Sequence, residues 1–232
     1  MNEQIKNTIK GTLGFITYFF FNFGAYYILT FLGININELS EKQLVFVSAF
    51  FSIIILAILI LISRKKFIEN FKDFFKNIKS YLKRNAKYWL WSLLIMFISN
   101  LAISLIFNVT TSANDQSVRD LFDYYPIYIF LTAIILAPFT EELVFRQSIR
   151  YLIKNKYIFI IASGLIFGFM HISTSLASLA DILYIIPYSV PGMAFAYMLV
   201  KEDNIMVPIS FHVIHNSISM ILMLIGKLAG VM

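Results

Sequence analysis

The sequence predicts an all-α protein: a polytopic membrane helix bundle of about seven transmembrane helices, six to eight, with one amphipathic helix on the cytoplasmic interface. Three observations predict it. Of the 232 residues, 59% are apolar, 17% aromatic and only 14% charged, whereas a soluble domain is about 45–50% apolar and about 25% charged. Apolar stretches long enough to cross about 30 Å of hydrocarbon, roughly 20 residues each, recur along the whole chain. The positive charge, +6 in all, is concentrated in one segment. A soluble enzyme is thereby excluded, and the length suits one membrane domain over 1–232, with no repeat, low-complexity tract or linker to divide it. The absence of cysteine excludes disulfides, thiolate catalysis and Cys-ligated zinc, so chemistry must come from oxygen and imidazole groups.

Taken in order, the first expected span covers 13–32. It is too long for the apolar region of a signal peptide and no small-x-small pattern follows it, so it is expected to remain in place. The second covers 44–62. Segment 64–87 follows, with nine Lys or Arg against Glu69 and Asp73, and the positive-inside rule makes it cytoplasmic. Within it Phe67, Phe71, Phe74, Ile78 and Tyr81 recur at helical spacing while Lys72, Lys76, Lys79 and Lys83 take the other side. That is the pattern of an interfacial helix on anionic lipid. Interleaved aromatics and lysines also suit single-stranded nucleic acid, but a segment tethered between two spans has the lipid surface as its nearest polyanion. Anionic lipid at 64–87 is therefore the expected partner, and nucleic acid is not.

Spans at 88–107, 127–145, 157–172, 182–200 and 205–225 complete the seven. The other loops then alternate, with Lys6, Lys10, Arg150, Lys154, Lys156 and Lys201 inside and Glu38, Glu41, Asp115, Asp120 and Asp123 outside. The N-terminus is expected to be cytoplasmic. Seven spans put the C-terminus outside; an eighth, half-length or re-entrant piece would reverse it.

All five prolines (Pro126, Pro138, Pro187, Pro191, Pro208) and all three histidines (His171, His212, His215) lie between 126 and 215, inside a motif-bearing core of about 126–225. A proline within a span frees a carbonyl that only protein or a wet cavity can satisfy, so Pro187 and Pro191 suggest a broken or short helix lining something wet. Glu141 and Glu142 are costly in a span if they face lipid. Arg146, four residues after Glu142, can neutralise it as an ion pair; Glu141 points about 100° away with no local partner, available to a proton or a metal. The plainer reading places these charges at the cytoplasmic interface, wet and snorkelling. Gly164 and Gly168 let a neighbouring helix approach closely, which brings His171 near its side chains. His212 and Asn216 share a face of the last span, with His215 nearly aligned; taken alone they also suit interhelical hydrogen bonding. Together, three spans carry two carboxylates, two or three imidazoles and a carboxamide, and a shared interior site satisfies them all.

These residues match a known pattern. Glu141-Glu142-Leu143-Val144-Phe145-Arg146 is similar to the EExxxR motif, Phe167 to His171 resembles FxxxH, and His212 to Asn216 resembles HxxxN. In that order they resemble the CAAX-protease and bacteriocin-processing (CPBP, or Abi) family of intramembrane proteases, over roughly 127–216; the first three spans match only as apolar helices. The resemblance implies that Glu141 activates water, that His171 helps position it, that His212 and Asn216 stabilise the oxyanion, and that Glu142 and Arg146 orient them, with Phe167 supporting. The family is commonly classed as metalloproteases, although a metal-independent, glutamate-activated water is also proposed for it. His215 lies outside the motif, as an extra candidate ligand or an incidental neighbour.

Either chemistry needs Glu141. With a divalent metal, zinc first, Glu141, His171 and His212 make a His₂Glu site that lowers the pKa of bound water toward about 7. Without one, desolvation raises the basicity of Glu141 while His212 and Asn216 donate to the tetrahedral oxygen. For Glu141 to reach the depth of the histidines, the fourth span must run past Arg146 to about residue 152, with Arg146 buried against Glu142 and a cavity open to the cytoplasm. The expected function is hydrolysis of a peptide bond in a membrane-associated peptide or protein, in a multi-pass protein of a bacterial cell membrane. The alternative class is non-enzymatic: a bacteriocin-immunity scaffold, or a proton-coupled transporter relaying protons through Glu141 and the histidines.

Overall fold

The structure, a computed structural model, describes residues 2–173 and 176–230. Among the described residues every regular element is helical. The helices are α1 (Glu3–Phe31), α2 (Glu41–Ile62), α3 (Arg64–Phe107), α4 (Ala113–Tyr124), α5 (Pro126–Leu152), α6 (Lys156–Ile172), α7 (Leu179–Glu202, with a turn at Tyr184) and α8 (Met206–Leu228), with one 3₁₀ turn, Ile36–Glu38, between α1 and α2. Six of them, all but α4 and α6, are long and apolar enough to cross a membrane, and α6 is an apolar helix of intermediate length. The seven expected spans are thus six full-length helices and the short α6.

Polar residues set the boundaries. Ser40 and Gln43 form a capping box at the start of α2, Asn155 accepts from the Tyr157 and Ile158 amides at the start of α6, and Ser178 and Asp181 form a capping box on α7. Helix α4 was not expected. Its residues are too polar to register as a span, yet Ser112 caps it by accepting from the Asp115 amide, and it packs Phe122 inward.

The expected interfacial helix and the third span form one element. Helix α3 is 44 residues long and bends at Asn77, where φ is −120° and ψ 16°; the Asn77 amide donates to the Asp73 carbonyl across the bend. Much of the aromatic face expected to meet lipid turns inward instead. Phe74 and Tyr81 are buried in the main core, and Phe67 and Ile78 pack against it. Only Phe71 and Phe75 stay exposed on that side, beside the exposed Lys72, Lys76, Lys79 and Lys83.

This basic end of α3 is fastened to the α7–α8 loop. Asn204 donates to the Asn70 carbonyl (3.0 Å) and Asp73 Oδ2 (3.0 Å) while accepting from the Met206 amide at the start of α8 (2.9 Å). Asp73 also accepts from the Tyr81 hydroxyl, and Glu202 accepts from Asn85 (3.0 Å) and Arg84 (2.7 Å). These contacts fix where α8 begins and hence the height of the side chains it carries.

Helices α6 and α7 pack backbone to backbone. A Cβ added at Gly168 would lie 2.1 Å from Ser189 Oγ and 2.8 Å from the Ile185 carbonyl, and one at Gly164 would lie 2.9 Å from the Met193 amide. The small-residue pair acts as its spacing predicts. Pro187 falls in the first turn after Tyr184, where its missing N–H costs little, so the break in α7 precedes the prolines.

Candidate active site

Helix α5 contains two π-helical stretches, Thr132–Leu136 and Glu142–Ser148, a geometry that re-aims side chains and recurs at functional sites. The first has a local cause. The Ala137 amide donates to the Thr132 carbonyl, five residues back. In that register the Ala133 carbonyl would be served by residue 138, a proline without an N–H. Asn216 of α8 takes the vacancy, its Nδ2 donating to the Ala133 carbonyl at 2.7 Å. Pro138 thus ties the candidate carboxamide to the carboxylate-bearing helix.

In the second stretch Glu142 and Arg146 are wholly buried, with Arg146 Nε 3.0 Å from Glu142 Oε2. This is an ion contact off the hydrogen-bond direction, and the remaining guanidinium nitrogens have no hydrogen-bond partner. Aromatic faces hold the cation: its centre lies 4.3 Å from the Phe167 ring centroid and 5.7 Å from that of Phe195. The interfacial, snorkelling reading of this pair is therefore replaced by a buried one. Helix α5 runs to Leu152, as the depth argument required, because Arg146 is neutralised inside the bundle.

From this pair a polar chain leads outward. His212 Nδ1 donates to Glu142 Oε1 at 2.9 Å, and its Nε2 lies 3.7 Å from Glu141 Oε2. Glu141, expected to lack a partner, therefore faces His212 across the helix interface, with its side chain 19% exposed. The His212 ring stacks on Phe195 and meets Phe167 edge-on, so its orientation is fixed from three sides. His171 Nδ1 donates to the Phe167 carbonyl one turn back (2.9 Å), and its ring stacks on Tyr188 with centroids 4.8 Å apart. That bond leaves Nε2 as an acceptor.

Glu141, Phe167, His171, His212, His215 and Asn216 all line one cavity of about 470 Å³, within the range of ligand pockets. Glu142 and Arg146 lie behind its wall. Pro187 and Pro191 line it too, and Pro191, inside the helix, is the one that leaves a backbone carbonyl without its helical donor. His215 contributes a buried Nδ1 without a partner.

Sequence reasoning missed part of the lining. Asn100 of α3, Asn114, Asp115 and Arg119 of α4, and Tyr188 of α7 also face the cavity, and the Tyr188 hydroxyl is held by Ser112 (2.6 Å) and Asp115 (2.9 Å). The cavity therefore extends toward α4, at the end of the bundle away from the basic segment. A Tyr-containing stretch between two prolines was the only signal for Tyr188.

Zinc would draw on Glu141, His171 and His212. Among the described residues no three His, Asp or Glu side chains stand together as a metal site, while the bonds made by Nδ1 of His171 and of His212 leave both Nε2 atoms as the nitrogens that could ligate one.

Comparison with known proteins locates the same segment. Residues 123–218 match the family described as type II CAAX prenyl endopeptidase Rce1-like. The Bacillus subtilis protein named "Putative membrane peptidase YdiL" is 30% identical over 116 residues, covering 49% of this chain and 44% of its own length. The UPF0177 protein YvdC of Lactococcus lactis is 27% identical over 136 residues, 58% of this chain and 50% of its own length. An uncharacterised protein of Mycoplasma capricolum is 28% identical over 186 residues, 72% of this chain and 53% of its own. The chain spans about half the length of the curated relatives it matches. No solved structure matches it. Six apolar helices and these relatives make it a multi-pass membrane protein, and the segment that is similar to the Rce1-like family holds all three motifs.

Proposed function

We propose that the protein is an intramembrane endopeptidase that hydrolyses a peptide bond of a membrane-associated peptide or protein, using water activated by Glu141. The observation that carries this reading is the chain Arg146–Glu142–His212–Glu141, anchored in the core and ending at a cavity that His171 and Asn216 also line.

Each group has a task. Water in the cavity gives a proton to Glu141 as its oxygen attacks the scissile carbonyl carbon. The oxyanion draws on a hydrogen bond from Asn216, whose Nδ2 has a second hydrogen beyond the one given to Ala133, and on one from His212 Nε2 when that ring carries a proton on both nitrogens. His171, with Nε2 free, accepts from the attacking water and aligns it. Collapse of the tetrahedral intermediate breaks the C–N bond, and the departing amine takes the proton back from Glu141. Glu142 and Arg146 hold the His212 ring without touching substrate. The basic segment is read as cytoplasmic, with its exposed lysines on anionic headgroups, and the N-terminus on the same side.

Cleavage of a membrane-anchored quenched peptide library by the purified full chain in proteoliposomes tests this. The expected result is turnover that Glu141→Gln abolishes while the helical circular-dichroism signal is unchanged. Proton or solute flux without turnover would favour a transporter, and a cellular phenotype that survives Glu141→Gln would favour a scaffold. Turnover is expected to persist after dialysis against a chelator. Loss restored by zinc would mean that Glu141, His171 and His212 close around a metal.

A further inference from the structure

Helix α4 carries Arg119 with Asp115 four residues before it and Asp123 four residues after it, spacings at which ion pairs form on a helix face. Neither pair exists. Asp115 Oδ1 accepts from the Tyr188 hydroxyl at 2.9 Å, and Asp123 Oδ1 is taken by Lys227 of α8 at 2.6 Å. Asp120, next to Arg119, accepts from Gln116 at 2.8 Å. Among the described residues no carboxylate lies within ion-pair distance of the Arg119 guanidinium, and its Nε is buried with no hydrogen-bond partner.

Arg119 lines the same cavity as Glu141 and His212, and so do Asn100 of α3 and Asn114 at the start of α4. A guanidinium with buried, unfilled donor capacity costs free energy until an acceptor arrives, and its planar fork matches a carboxylate in two parallel hydrogen bonds. Both carboxamides can donate to the same anion, Asn114 with the Nδ2 hydrogen not given to the Tyr188 hydroxyl at 3.4 Å. The remainder of the wall is largely apolar, including Met96, Val118 and Met223, which suits an apolar peptide with one charged group.

We infer that Arg119, with Asn100 and Asn114, forms a carboxylate-binding subsite that anchors the peptide at the α4 end of the cavity. The carboxylate is that of the peptide's C-terminus or of an acidic side chain. This inference rests on the peptidase reading of Glu141 and names the chemistry that reading's substrate must carry.

The test uses three labelled apolar octapeptides: one with a free C-terminal carboxylate, its C-terminal amide, and that amide carrying a single glutamate. Each is titrated by fluorescence anisotropy against the full chain in nanodiscs of zwitterionic lipid, in the wild-type and the Glu141→Gln background. The free acid is expected to bind about tenfold or more tighter than the amide, as a charge-assisted hydrogen bond supplies. Arg119→Gln should remove that difference and leave amide affinity unchanged, and Arg119→Lys should keep part of it. If the glutamate-bearing amide regains affinity, the carboxylate is a side chain; if it does not, it is the C-terminus. Equal affinities for all three peptides, discrimination that survives Arg119→Gln, or no peptide binding overturns the subsite. Discrimination abolished by anionic lipid in the nanodisc would also overturn it, in favour of a headgroup site. Discrimination without any cleavage by the wild-type chain would instead refute the peptidase reading and leave the subsite standing.

Discussion

Two polar clusters are built into this bundle, and they use their hydrogen-bonding groups to different extents. At the basic end, Asn204 and Asn85 are buried with both amide ends engaged: Asn204 with Asn70, Asp73 and Met206, and Asn85 with Tyr81, Glu202 and Lys201. In the middle of the bundle, Arg146 Nη1 and Nη2, Thr140 Oγ1, Gln147 Oε1 and His215 Nδ1 are buried without partners. The first cluster behaves as structure, since a saturated network stabilises without room for a ligand. The second holds its buried charges by an ion contact, a bond from His212 and two aromatic faces. Of its unused groups only His215 belongs to a residue that lines the cavity, so only that one is free to meet a ligand.

The largest expected effect breaks the central cluster. Arg146→Ala leaves Glu142 buried without its cation and held only by His212 Nδ1, so stability should fall by about 3–5 kcal/mol, read as a lower thermal midpoint in detergent. Combining Glu142→Leu with Arg146→Met should restore most of that stability without restoring turnover, because nothing would then orient His212. If the double variant turned over normally, the pair would be only structural.

Next is Asn216→Ala. The loss of one donor to the oxyanion should lower turnover about 10²–10³-fold with substrate affinity little changed. A rise in KM alone would assign Asn216 to helix pairing through Ala133.

The smallest effects concern the basic end. Asn204→Ala removes the acceptor at the start of α8, at a cost of about 1–2 kcal/mol, and amide exchange should rise first at Met206. The hydrogen bond from Tyr81, assisted by those from Asn204 and Asn77, holds the Asp73 carboxyl below its ordinary value of 3.8. A carboxylate with a lowered folded pKa stabilises above its unfolded value and loses that contribution as pH falls through the folded one. The wild type should therefore lose midpoint temperature below about pH 4, and Asp73→Asn should flatten that limb. Asp73 is exposed, so the effect is small and screened.

The same contrast explains what the sequence made legible. The spans were readable because an apolar run has one solution in lipid: 44–62 was expected and Glu41–Ile62 is found. The convergence of Glu141, His171, His212 and Asn216 was readable because no lipid-facing arrangement satisfies them. The end of α5 near residue 152, with Arg146 buried against Glu142, was readable from the depth the histidines demand; the Phe167 and Phe195 faces that hold the guanidinium were not, because they come from other helices. Helix α4 was hidden by its polarity, and the fate of the basic segment by Phe74 and Tyr81, whose spacing is the same whether lipid or protein covers them. Arg119 was masked by its own neighbours, since Asp115 and Asp123 stand at pairing distance in sequence and are drawn away only by Tyr188 and Lys227.

The most direct test of the central claim, that Glu141 directs a cavity water onto a peptide carbonyl, is a single-turnover reaction in oxygen-18 water with the products read by mass spectrometry. The account predicts one oxygen-18 in the new carboxylate from the wild-type chain, and no product from a Glu141→Gln chain that still binds the peptide. Product formed at an undiminished rate by that variant would contradict it.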